Sequence, residues 1–285
     1  ATDLAAPDRR ARALGLVVWA TTVGAVAGPN LAGPVQDLAG GLGLTPATGP
    51  FLLCAVAFGL AAAVTGVGLR PDPLLLARAA QPVDPGALPV DGAQVRAALL
   101  AAPAALLGIG AIVVGHLVMV GLMSMTPVHM DHGGATLAVV GLVISVHVAG
   151  MYALSPVFGW LADRAGRIRV LALAGGLLLA SAVLCALAGP GDTALLASGL
   201  VLLGLGWSGG LVAGSALVTE SVALPVRAGA QGLADVAMNV SGAFGGILAG
   251  LVVAGTSFAV LGVAASVLVV GYLLTAGTYA VRTAV

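Results

Sequence analysis

The sequence predicts an all-α integral membrane protein of eight transmembrane helices. Three observations carry this. Charged residues make up only 8% of the 285 positions, against 60% hydrophobic, where a soluble domain carries about 25% charged residues. Eight apolar runs approach or exceed the roughly 20 residues needed to cross a bilayer, at 13–35, 50–69, 97–124, 136–159, 170–188, 194–218, 229–254 and 258–281. Every arginine falls in alternate connections between those runs or at the two chain ends.

Taken in order, the first span follows Arg9, Arg10 and Arg12, and it holds a Gly28-Pro29 pair near its middle. The second span is free of charge and ends at Arg70. Residues 70–96 are rich in Pro and Asp and read as a linker between two helix groups. This divides the chain into residues 1–69, the linker 70–96, and a six-helix group at 97–285. The third span carries His116, and the segment TPVHMDHGG at 126–134 reads as a loop. His129, Asp131 and His132 in that loop lack the further ligand a metal site needs. The fourth span carries His147 and Tyr152 and runs into a charged connection with Arg164, Arg167 and Arg169. The sixth carries Trp207 and Ser208; Arg227 precedes the seventh, and Arg282 ends the eighth.

The connections 36–49, 127–135, 189–193 and 255–257 carry no arginine. By the positive-inside rule the arginine side is cytoplasmic, with both chain ends there. The chain has no lysine. That excludes a Walker A ATPase, which needs its lysine on the phosphates, and a Schiff-base pigment. Zero net charge gives no reason to expect a nucleic-acid partner. No cofactor is expected. Cys54 and Cys185 sit in apolar runs and read as small buried hydrophobes.

An internal repeat enlarges the picture. Residues 10–33 laid over 227–250 without gaps match at eleven of 24 positions. The first and seventh spans, six apart, then look equivalent, as two six-helix halves would make them. The chain starts at Ala1 rather than Met, and on this reading four helices precede it.

The charged connection reads Gly159-x-x-x-Asp163-Arg164-x-Gly166-Arg167-x-Arg169. It resembles the loop signature of the major facilitator superfamily, with Ile168 departing from the family's basic preference. Asp163 is suited to pair with an arginine or to face the positive end of a helix. In the first span Gly15, Gly24, Gly28, Pro29 and Gly33 resemble the family's antiporter motif, with Ala32 in place of one glycine. The stretch from Gly206-Trp207 to Thr219-Glu220, with Gln231 and Asp235 after it, is similar to a bacterial branch of exporters. The resemblance covers the chain from about Arg9 to its end, as family helices five to twelve. It implies a central cavity, alternating access and, from the antiporter motif, proton-coupled efflux of a small organic solute across the bacterial inner membrane. An importer of the same family is one alternative, and a non-transporting membrane protein another.

Six residues are candidates for the transport pathway or its coupling: His116, His147, Tyr152, Trp207, Asp235 and Asn239. Asp235 is the sharpest, because an intramembrane carboxylate costs about 2.5–3.5 kcal/mol on insertion scales and needs a partner or a role. Gln231, Asp235, Asn239, Gly242 and Gly246 share one helix face by spacing. A structural ion pair with an arginine of the charged connection is the other reading of Asp235. Gly206-Trp207-Ser208-Gly209 also fits the Gly-x-Ser-Gly of intramembrane serine proteases. No histidine follows His147 to serve such a serine as base.

Overall fold

The computed structural model describes residues 6, 9–72, 75, 76 and 90–284; within these, nothing is said of the side chains at 25–30, 32, 33, 137, 138, 283 and 284. The described residues form α-helices and one 3-10 turn, without a strand. The helices are α1 (Arg10–Gly41), α2 (Gly49–Gly68), α3 (Gly92–Leu100), α4 (Pro103–His132), α5 (Leu137–Tyr152), α6 (Ser155–Ala165), α7 (Arg167–Leu187), α8 (Thr193–Glu220), α9 (Leu224–Gly255) and α10 (Phe258–Ala284). Seven helical stretches among the described residues are long and apolar enough to cross a membrane, with α5 and α6 acting as one from Val139 to Ala165. The first expected span lies in the 32-residue α1.

Two units form. One holds Ala20–Ala87, the other Ala1–Trp19 with Leu88–Val285. In the smaller unit, α1 turns through the 3-10 segment Pro46–Thr48 into α2, and Gly49 packs on the backbone of Val35. The exposed face of α2 carries Cys54, contrary to its expected burial. This unit has too few helices to cover both faces of α2.

In the larger unit α8 is the hub, packing on α4, α5 and α7. Glycines let the neighbouring backbones approach, as small residues do in membranes. A Cβ at Gly204 would lie 2.5 Å from the His147 carbonyl oxygen of α5, and one at Gly206 2.9 Å from that of Ala174 on α7. On α4, a Cβ at Gly108 would stand 2.6 Å from the Gly214 carbonyl oxygen of α8. Around these contacts lies a core of Leu122, Leu171, Leu196, Leu200 and Leu203, all fully buried.

Several expected boundaries move. The third span was expected to begin at residue 97, but α3 ends at Leu100 and α4 starts at Pro103. Asp91 and Gln94 form a capping box that starts α3 separately. Proline then restarts the chain at the first turn of α4, where its missing N–H costs nothing. At its other end α4 runs through Pro127 to His132, so His129, Asp131 and His132 are helical rather than in a loop. The fourth span bends at Ala153-Leu154, between α5 and α6. The charged connection is helical too, except for one residue. Gly166 has φ +96° and ψ 147°, a region open essentially to glycine alone. It turns the chain from α6 into α7 in a single step.

Candidate functional site

The arginine-bearing end is built around Asp163. Its carboxylate accepts the backbone N–H of Ala11 at 3.2 Å and of Arg12 at 2.9 Å, in the first turn of α1. Those N–H groups have no partner within their own helix, and the helix dipole makes that end positive. On the other side Arg167 reaches Asp163 at 2.9 Å and Glu220 at 2.7 Å, and also donates to the Ala162 carbonyl. The Asp163 side chain is only 4% exposed and that of Arg167 14%. Asp163 and Arg167 together therefore join the start of α1, the α6–α7 corner and the end of α8. Asp163 was expected to pair with an arginine or to face a helix amino terminus, and it does both.

The remaining motif residues support this knot. A Cβ at Gly159 would lie 2.5 Å from the Ala11 carbonyl oxygen, and one at Gly15 2.5 Å from that of Ser155. The Ser155 hydroxyl donates to the Gly15 carbonyl at 3.0 Å. Gly15 and Gly159, read as parts of separate motifs, thus belong to one seam between α1 and α6. Arg164 lies over its own Trp160 ring, 5.5 Å from the centroid. Arg169 is exposed on the first turn of α7. Gly24 is exposed with open space around it. Gly28, Pro29 and Gly33 lie in α1, and their side-chain surroundings fall outside the described residues.

Glu220 is the partner that sequence reading missed. It is the lone acid of a 28-residue span and sits at its last position, which looks like a solvated helix end.

A second group gathers deeper in the bundle. Trp207 donates its indole N–H to His116 Nδ1 at 2.9 Å, and the Tyr152 ring meets Trp207 edge-on at 5.7 Å between centroids. Gly242 of α9 closes the other side, where a Cβ would be 2.7 Å from His116 Cδ2. Three of the six pathway candidates thus share one cluster.

Asp235 and Asn239 line an open cleft of about 730 Å³. Its apolar wall is Leu14, Val17, Val18 and Leu211, and its polar wall includes Ser215, Gln231, Asp235 and Asn239. Gln231 donates to Asp235 Oδ1 at 3.0 Å and to the Ser215 hydroxyl at 3.3 Å. Among the described residues Asp235 makes no ion pair.

His147 stands apart from both groups. It is fully buried between α5 and α8, with Nδ1 2.7 Å from the Leu200 carbonyl and Nε2 without a partner among the described residues. Ser208 Oγ is buried and has no hydrogen-bond partner, so it forms no Ser–His dyad among the described residues. Near the opposite end from Asp163, His129 contacts the Ala188 carbonyl at 3.1 Å and stacks on Phe258.

The family model described as Major Facilitator Superfamily matches residues 109–284. The chain belongs to the Major Facilitator Superfamily. Two similar relatives within this superfamily come from Bacillus subtilis (strain 168). The MFS-type transporter YddS is 38% identical over 268 residues, covering 94% of this chain and 62% of that protein. YdeG, also of the MFS type, is 41% identical over 274 residues, with the same two shares. The riboflavin transporter RfnT of Brucella anthropi is 31% identical over 238 residues, 84% of this chain and 56% of that protein. The chain thus spans less than two thirds of the length of these superfamily relatives. Its described helices make it an all-α, multi-pass membrane protein of the superfamily.

Proposed function

We propose that the chain forms the carboxy-terminal part of a secondary active transporter that moves a small organic solute by alternating access. The single observation that carries the gating part is the Asp163 knot. It ties α1 to α6, α7 and α8 through charge-assisted hydrogen bonds that are individually reversible. A two-position gate needs contacts of this kind, strong when made and replaceable by water when broken. The seam of Gly15, Ser155 and Gly159 lets the two helices close to backbone contact, with only the Ser155 hydroxyl bridging it.

The transport direction we propose is efflux, coupled to protons. The glycine and proline pattern of α1 supports efflux, and Asp235, which lines the cleft and makes no ion pair among the described residues, supports a carboxylate in the coupling step. The clustering of every arginine in alternate connections or at the chain ends supports a bacterial inner-membrane location with the Asp163 end cytoplasmic. RfnT is named for riboflavin; from it we take only the size and organic character of a plausible solute.

The test is transport by the full-length protein in liposomes under an imposed pH gradient, with riboflavin and ethidium as probes. Asp235→Asn is expected to abolish proton-driven accumulation while leaving solute counterflow. Full proton-driven accumulation by Asp235→Asn would remove Asp235 from the coupling step. Failure of the unmodified protein to move either probe in either direction would count against the solute class proposed.

A further inference from the structure

We infer that His116 is a proton-binding site whose occupancy releases Trp207. Its part in coupling rests on the transport reading above; the switch itself does not. The argument begins with donors and acceptors. An indole nitrogen can only donate. Trp207 Nε1 lies 2.9 Å from His116 Nδ1, so Nδ1 must offer its lone pair. The imidazole is then neutral, with its proton on Nε2. A second proton can bind only at Nδ1. It would turn that atom into a donor facing another donor, and the bond could not survive.

The surroundings turn that loss into movement. Trp207 is 7% exposed and is held on its other flank by Tyr152. His116 is half-buried and pressed against Gly242, where no side chain intervenes. A charged ring repelled by the indole N–H therefore pushes on α9 at Gly242. Gly242 lies three residues, less than one turn, beyond Asn239 on the cleft wall. The proton's arrival inside the bundle is thereby felt at the solute-lining face.

Few other groups can account for a pH response at this place. Tyr152 approaches from the α5 side and Trp207 from α8, while α9 presents Gly242. Asp235 lies seven residues before Gly242, about 10 Å along the helix axis. From α7 the neighbour of α4 is Leu178, against Gly115, and from α10 it is Tyr272, against Gly110. His147 is engaged with Leu200, seven residues from Trp207 on α8.

The experiment uses the full-length protein in lipid nanodiscs, with Trp19→Phe and Trp160→Phe removing the other two indoles of this chain and any tryptophan outside it likewise replaced. The ultraviolet resonance Raman band that reports indole N–H hydrogen bonding is followed from about pH 4 to about pH 9, bracketing the ordinary imidazole range. The bonded signal is expected at high pH and its loss at low pH, in one proton step. In His116→Gln the amide oxygen still accepts from Trp207 but does not titrate, so the bonded signal should persist at every pH. A flat titration in the unmodified His116 protein overturns the inference, as does a step that survives His116→Gln. Absence of proton-driven flux with the spectral step intact would instead strike the transport reading alone. Where flux is present, His116→Gln is expected to flatten its pH profile.

Discussion

Arg12 donates its backbone N–H to a carboxylate oxygen of Asp163 at 2.9 Å, across 151 residues of sequence. This bond and its neighbour at Ala11 are what fasten the first turn of α1 to the α6–α7 corner. Asp163→Asn removes the negative charge from a positive helix end and from Arg167. Hydrogen bonds to charged groups contribute about 1.5–3 kcal/mol, so the closed arrangement should lose roughly tenfold or more in population. Spin labels on α1 and α6 of the full-length protein would read this as a broader, longer distance distribution. An unchanged distribution would show that other contacts hold that end shut.

The glycine seam makes a separate prediction. A methyl group at Gly15 or Gly159 would meet a backbone carbonyl, not a flexible side chain. Gly159→Ala and Gly15→Ala should each force α1 and α6 apart at about 1–3 kcal/mol, the usual cost of overpacking. Cysteine cross-linking across the seam should fall in yield in both variants. Ala substituted at Gly24, which has open space around it, serves as the control with no such loss.

Arg167 divides its guanidinium between two acids. Removing it leaves Asp163 and Glu220 facing one another without a cation. Arg167→Gln should therefore destabilise more than Glu220→Gln. The double variant should show a coupling of about 0.5–3 kcal/mol, measurable from thermal unfolding in detergent. Strict additivity would mean that the 2.7 Å contact carries no energy of its own.

Gly166→Ala tests the corner. The backbone angles there lie where side chains are strained by about 1–3 kcal/mol. The variant should unfold at lower temperature and weaken the Asp163–Arg167 pair, whose two residues stand on either side of the corner. Equal stability would mean that the α6–α7 junction relaxes at no cost.

Much of this arrangement could be read from residue order. Asp163, Gly166 and Arg167 announced themselves by spacing, because a carboxylate, a turn residue and a guanidinium need fixed offsets to meet. The helices were legible from their apolar runs. Their ends were harder. Asp91 with Gln94, and Pro103, were visible start signals that a hydropathy run passes over. The segment from Thr126 to Gly134 reads as a loop by composition, yet α4 continues through Pro127 to His132. Glu220 could not be paired from sequence, since its partner lies 53 residues away. The meeting of His116 with Trp207 likewise depends on the rotation of α4 against α8, which no local pattern encodes.

The glycines that bring α8 against three neighbours have a mechanical consequence. Where main chains touch with nothing flexible between them, there is no cushion to absorb sliding. Helices α4, α5, α7 and α8 should travel as a stiff block, and opening is to be sought at its rim, where α1 meets α6 and where α9 lies against α4.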